Sequence, residues 1–136
     1  MNARLTEFAD RRERDLSGFT LDRLSFDYAT SFLIAIPHSS LTVIIETPFT
    51  LQTSSHVETI DPKRIVSAER LLKLSHHPVA SLTAFRSGQL FVMFEDGTKI
   101  QVPKNEQYES WQTYGDGETA DMGMLCSGHE GSLLIG

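Results

Sequence analysis

An alternation of apolar and polar residues runs from Leu24 to Ile36, and a second runs from Leu41 to Leu51 beyond the four residues Pro37-His38-Ser39-Ser40. Leu24, Phe26, Tyr28, Phe32, Ile34 and Ile36 share one parity, and Leu41, Val43, Ile45, Phe49 and Leu51 share the other. Period two puts each set on one face of an extended strand, so the segment reads as a long β-hairpin with a single buried face. The pattern constrains architecture more than chemistry, because no nucleophile, metal or phosphate motif lies on it or elsewhere in the chain.

The remaining chain arranges around that hairpin as one domain, since 136 residues with 40% hydrophobic content supply one core. Residues 3–15 read as a short surface helix, with Leu5, Phe8 and Ala9 on one side and Glu7/Arg11 and Asp10/Arg14 at i,i+4 spacing. Ser17-Gly18 stops it, and Pro48 marks an edge or a bulge near the end of the second strand. Asp61-Pro62 reads as an N-cap followed by proline at the first helical position, with Ile60 placed to staple onto Ile65. Ile65, Ala68 and Leu72, widened by Leu71 and Leu74, give helix 62–75 a stripe to lay on the sheet, and His76-His77-Pro78 ends it. Residues 79–102 read as a meander in which Leu90, Val92, Phe94, Ile100 and Val102 share a face and Asp96-Gly97 favours a type I′ turn. Residues 108–114 alternate weakly, and 120–126 and 132–135 look like two last short strands. The expected fold is α+β: a curved, mostly antiparallel sheet of about seven strands, with one core-packed helix and a short N-terminal helix. Residues 1–136 then form a single α+β domain, 1–18 being the N-terminal helical segment and 19–136 the sheet core with helix 62–75.

Residues 1–20 hold eight charges and no apolar signal core, and no apolar run approaches the roughly 20 residues of a membrane span, so a cytoplasmic protein that does not enter the membrane is expected. The single Cys126 cannot form an internal disulfide, which agrees with a reducing compartment. Charge is more informative by region. Residues 1–20 sum to zero, 21–60 to minus three and 61–104 to plus three, while 105–136 carry six carboxylates with no Lys or Arg, as much as the whole net charge of −6. Such a stretch repels nucleic acid and membrane headgroups and steers a basic partner.

Candidate chemistry is sparse. Cys126 and His129 stand three apart without further ligands, so no metal is expected, and no cofactor motif is present. Cys126 with a histidine carries no local signature of a nucleophilic pair. His76 and His77 suit a helix end, where positive charge complements the dipole, and His38 and His56 fall in turns or loops. Lys63, Arg64, Arg70 and Lys73 are the ordinary outer face of an amphipathic helix, and the net charge argues against nucleic acid. The carboxylates Glu106, Glu109, Asp116, Glu118 and Asp121 read as surface groups before they read as an acid/base pair. Interleaved with Tyr108, Trp111 and Tyr114 they have the composition of a protein-binding surface. Tyr108 and Tyr114 share a parity that Trp111 does not; Trp111 in the core with the tyrosines outward is the favoured arrangement, although the reverse also satisfies the alternation.

Leu16-Ser17-Gly18, Asp27-Tyr28, Ile45-Glu46-Thr47-Pro48-Phe49, Leu71-Leu72, Phe94-Glu95-Asp96-Gly97-Thr98 and Tyr108-Glu109-Ser110-Trp111 carry a resemblance that covers about Leu16 to Ile135. In these residues the chain resembles a family of small bacterial proteins known only as a domain of unknown function, some of which look like toxin-immunity or antitoxin-type partners. It departs from them in ending Leu133-Leu134-Ile135-Gly136, where the similar proteins close on an aromatic residue. The resemblance supplies no reaction, cofactor or catalytic set. The expected function is a non-enzymatic interaction module, an immunity-like inhibitor that occludes a basic, toxin-like protein through Glu106, Tyr108, Glu109, Tyr114, Asp116, Glu118 and Asp121. The alternative is a small ligand-binding protein or hydrolase with a pocket inside the curved sheet, lined by Phe26, Tyr28, Phe32 and Phe94. A homodimer through an exposed edge strand is compatible with either.

Overall fold

The structure, a computed structural model, describes residues 5–26, 29–36, 39–104, 111–116, 124–126 and 133–135. These contain β1 (Leu5–Glu7), β2 (Arg11–Asp15), β3 (Thr20–Phe26), β4 (Thr30–Ile36), β5 (Ser39–Ile45), β6 (Phe49–Gln52) and β7 (Val57–Ile60). After a helical segment follow β8 (Val79–Phe85), β9 (Leu90–Phe94), β10 (Lys99–Val102), β11 (Trp111–Asp116), β12 (Met124–Cys126) and β13 (Leu133–Ile135). The strands make two antiparallel sheets instead of one, a seven-stranded sheet in the order β1-β2-β8-β9-β10-β6-β7 and a six-stranded sheet in the order β13-β12-β11-β5-β4-β3. The protein is mostly β, which corrects the α+β expectation of one sheet of about seven strands carrying a core helix.

Both sheets contribute to one buried cluster, with Phe32, Ile34, Val43 and Trp111 from one and Phe49, Leu82, Val92 and Ile100 from the other. Phe32 meets Phe49 edge-on at a centroid distance of 6.4 Å, and the Trp111 indole Nε1 donates to the Gly88 carbonyl at 2.9 Å in the turn between β8 and β9. The alternating positions expected to be buried at Leu41, Val43, Ile45, Phe49 and Leu51 are buried, as are Leu90, Val92, Phe94, Ile100 and Val102. What changes is connectivity. The strand expected over 24–36 is the hairpin β3–β4, with Leu24 opposite Phe32, and the strand expected over 41–51 is β5 and β6, which belong to different sheets. Pro48, which has no amide hydrogen to give a ladder, stands where the chain crosses between them.

The N-terminal helix expected within 1–18 is the hairpin β1–β2. One opposite-charge pair faces across it: Glu7 stands opposite Arg12, and their side chains make a 2.8 Å ion pair, while Arg11 pairs along the chain with Asp10 and Glu13 at 2.8 Å each. Alternating signs support i,i+4 pairing on a helix and facing pairs in a hairpin equally well, and pairing of β2 with β8 decides for the strand. Beyond β2 the chain bends at Gly18 (φ +93°) and stays beside residues 77–80, through bonds from Leu16 N–H to the Ala80 carbonyl at 2.9 Å and from Val79 N–H to the Phe19 carbonyl at 3.0 Å. β3 then enters the second sheet, so this corner fastens the two sheets along one side.

The helical segment is a 3₁₀ helix over Ile65–Leu74, not a core-packed α-helix over 62–75. Ile65, Ala68, Leu71 and Leu74 recur at the three-residue period of that helix, whereas the expected stripe through Leu72 assumed a period of 3.6. Leu71 and Leu74 are accordingly buried while Leu72 is exposed. Asp61 closes its own turn, its carboxylate accepting the Lys63 N–H at 3.0 Å and its carbonyl the Arg64 N–H at 2.9 Å, so it caps no helix. At the far end His76 takes the left-handed conformation (φ 65°) that commonly closes a helix, and its N–H reaches the Leu21 carbonyl at 2.7 Å.

The meander over 79–102 forms as expected, with a different turn. Gly97 (φ +92°) donates to the Phe94 carbonyl at 3.0 Å, and the Phe94 N–H bonds the Thr98 carbonyl at 2.9 Å. Positive φ at the glycine alone makes this a type I turn with a bulge, because type I′ requires positive φ at both central residues. The Thr98 N–H also bonds the Asp96 carboxylate at 2.9 Å, and that hydrogen bond holds the Asp96 pKa below the usual carboxylate range.

Candidate protein-binding face

Residues paired across antiparallel strands share a face, so the register assigns each side chain of β11. Trp111 stands opposite Ile45 and Thr113 opposite Val43, all four being buried. Gln112 and Tyr114 therefore belong to the outer face of the six-stranded sheet. Tyr114 continues through Thr42 and Leu33 to Arg23, and Gln112 through Ile44 to Ser31. Tyr114 is 53% exposed and its hydroxyl donates to the Gln112 side-chain oxygen Oε1, while Leu33 and Ile44 are half-buried on the same face. The result is a strand face that presents one exposed aromatic residue together with two half-buried aliphatic ones.

Asp116 lies two residues beyond Tyr114, at the same parity, and its carboxylate is already engaged. It accepts the Ser40 N–H and the Ser40 hydroxyl at 2.9 Å each, and the Asp116 carbonyl accepts the Ser39 hydroxyl at 3.1 Å. These bonds clip the end of β11 to the start of β5. Of the seven expected partner-binding residues the structure thus brings Tyr114 and Asp116 together on one face, with Asp116 in a positioning role; Glu106, Tyr108, Glu109, Glu118 and Asp121 lie outside the described residues. Leu33 and Ile44 escaped the sequence reading. Their signal is loss of alternation in Phe32-Leu33-Ile34 and Val43-Ile44-Ile45, where apolar residues occupy both faces.

Charge is uneven along the sequence. Residues 20–46 and 105–136, the segments that contain the strands of the six-stranded sheet, carry nine carboxylates against the single cation Arg23, a net of minus eight, and of the nine Asp22, Glu46 and Asp116 are among the described residues. The rest of the chain carries nine carboxylates against eleven cations, a net of plus two.

Other candidates fare less well. Phe32 and Phe94 are core residues and Phe26 packs half-buried against the core, while Tyr28 lies outside the described residues. Among the described residues no group of three or more His, Cys, Asp or Glu is placed to hold a metal ion, and no helix is long and apolar enough to cross a membrane. His129 lies outside the described residues, and His77 stands 3.9 Å from the Asp96 carboxylate at the mouth of the β9–β10 turn.

No curated protein and no solved structure matches the chain. A family does: the profile of the family of unknown function DUF6188 matches residues 12–132, from the second strand of the first hairpin to the approach to the last strand, and the chain belongs to that family.

Proposed function

We propose that the protein is a non-enzymatic interaction module that captures a basic protein on the outer face of its six-stranded sheet, in the manner of an immunity-type inhibitor that works by occlusion. The observation that carries this reading is the uneven charge of the sequence: a net of minus eight over residues 20–46 and 105–136, the segments that contain the strands of the six-stranded sheet, in a protein whose total is −6. A field of one sign accelerates encounter with a partner of the other sign and selects against like-charged ones. Affinity then rests on anchors that lose their water, and Tyr114, exposed on the face it shares with Leu33 and Ile44, is the type of residue that fills this role. The platform is held by strand pairing on both sides of β11 and by the Asp116–Ser40 clip, so little order is lost on binding. A reducing, cytoplasmic setting fits the single cysteine.

The test is affinity capture from the native lysate with three baits: the unaltered chain, Glu118→Lys with Asp121→Lys, and Tyr114→Ala. Asp116 is left in place because its carboxylate holds Ser40. The expected result is a stoichiometric basic protein that salt releases, that the charge-reversed bait fails to hold, and that Tyr114→Ala binds about tenfold more weakly, the loss typical of an interface anchor. A partner held equally by all three baits, or recovery of the bait alone, overturns the reading.

A further inference from the structure

β7 is the last strand of the seven-stranded sheet and pairs on one side only, with β6. The Thr53 N–H donates to the His56 carbonyl at 2.9 Å, so 53 and 56 are a hydrogen-bonded pair. Antiparallel pairs alternate between bonded and non-bonded, which makes Gln52/Val57 and Thr50/Thr59 the non-bonded ones. The main-chain N–H and C=O of Val57 and Thr59 consequently point away from β6, and both residues are exposed. The other terminal strands are blunted: β1 and β13 are three residues long, and β3 breaks register between Leu21 and Arg23. β7 pairs with β6 without such a break and holds neither lysine nor proline.

Charge limits what can lie along this edge. The one charged residue of β7, Glu58, shares the inner side with Leu51 and is closed on Arg70 at 2.9 Å. Thr59 opens onto a groove of about 450 Å³ beside the 3₁₀ helix, and the charged lining of that groove is Asp61 and Glu69 with Arg64 and Arg70. Carboxylates and guanidinium groups are equal in number there, so the lining selects neither an acidic nor a basic segment. Such a surface is complementary to itself, as the patch at a two-fold contact must be, because each copy meets it with the same residues. It also lets two chains of net charge −6 approach where neither presents an excess of one sign. Val57 and Val66, at 61% and 78% exposure, supply apolar area on the strand and the helix that border the groove.

We infer that β7 is a self-association edge, along which a second copy of the chain adds its own β7 antiparallel and joins the two seven-stranded sheets into one. The outward groups limit the register, since a ladder bond needs a main chain that points outward on both copies. A two-fold centred on Glu58 pairs Val57 with Thr59 but sets the two Glu58 side chains directly opposite each other, like against like. A two-fold centred on Val57 brings Thr59 against Ser55, inside the turn that closes the β6–β7 hairpin. Centred on Thr59, the contact pairs the two Thr59 residues through their N–H and C=O groups and sets Glu58 against Ile60. That register satisfies the edge without facing like charges.

The experiment is sedimentation equilibrium of the full chain, in reductant so that Cys126 links no copies, on the unaltered protein, Thr59→Lys, Thr59→Glu and an equal mixture of the two variants. Thr59 is exposed, so either substitution leaves the fold in place. The expected outcome is a concentration-dependent dimer that each variant alone weakens about fivefold, because the two-fold sets like charges opposite each other. The mixture restores it, because an ammonium then stands opposite a carboxylate. In the unaltered protein the Thr59 amide slows its exchange as concentration rises, while the Glu58 amide, already in the ladder with Leu51, does not. A monomer at every concentration, a dimer that both variants leave unchanged, or a weakening that the mixture fails to restore overturns the contact.

Discussion

The two sheets use the same alternation inward and differ in the residues they present outward. Their inner faces are interchangeable in kind: Ile34, Leu41, Val43 and Ile45 on one, Leu82, Val92, Ile100 and Val102 on the other, each fully buried. Outside, among the described residues, the six-stranded sheet presents Tyr114 on the face it shares with half-buried Leu33 and Ile44, whereas the seven-stranded sheet ends in β7 with Val57 and Thr59 exposed. Core formation needs only parity and volume, so it leaves every second residue available for recognition, and in this chain those residues have diverged between the sheets.

The comparison assumes that the sheets are halves of one cooperative unit, and Trp111 is where that assumption breaks most readily. Its ring is fully buried on the six-stranded sheet, and its indole N–H bonds the Gly88 carbonyl of the seven-stranded one. Trp111→Ala is expected to cost about 3 to 5 kcal/mol through cavity formation, with the Gly88 carbonyl left without that donor. Urea unfolding followed by circular dichroism gives the magnitude. Native-state amide exchange gives the distribution: Val43 and Val92, one on each sheet, are expected to lose protection together. Loss confined to β5 and β11 would mean two units that fold separately.

How much of this was legible follows from register. In β3–β4 the opposed positions Leu24 and Phe32 have the same parity, so alternation passes through the reversal without a break and two strands read as one. In β4–β5 Ile34 stands opposite Leu41, parity flips, and that reversal was visible. From Ile45 to Phe49 parity is again unbroken while the chain changes sheets, so burial was read correctly and connectivity was not. The offset of Trp111 from Tyr114 set them on opposite faces but left open which was inward; the size of the one indole ring favoured Trp111 for the core, where it lies. The engagement of Asp116 was not, since Ser40 lies 76 residues away and no local pattern links them. Leu33 and Ile44 were hidden for a third reason: an apolar residue on an outer face has the composition of core.

A smaller effect probes the seven-stranded sheet alone. A Cβ on Gly97 meets nothing within 4 Å, so Gly97→Ala isolates the cost of φ +92° without a clash. About 1 to 2 kcal/mol of destabilisation is expected, with Gly97→Asn recovering part of it because asparagine enters the left-handed region more readily. Chemical denaturation of the three proteins measures this. Since the change lies in the β9–β10 turn, capture of a basic partner by the six-stranded sheet should be unchanged; coupled losses of stability and capture would show that the outer faces are not independent.

The smallest effect has the opposite sign and belongs to the six-stranded sheet. Thr30 is fully buried between its cross-strand neighbours Phe26 and Ile45, and its hydroxyl has no hydrogen-bond partner among the described residues. Valine keeps the branched shape and removes a polar group whose burial is uncompensated, so Thr30→Val should stabilise the protein by about 1 kcal/mol. Thr30→Ser keeps the hydroxyl and loses a methyl group, and should destabilise by about the same amount. The pair of variants separates polarity from volume at one site. If valine instead destabilises, the hydroxyl is bonded within the folded protein, and the inner faces of the two sheets differ in polarity as their outer faces differ in the residues they present.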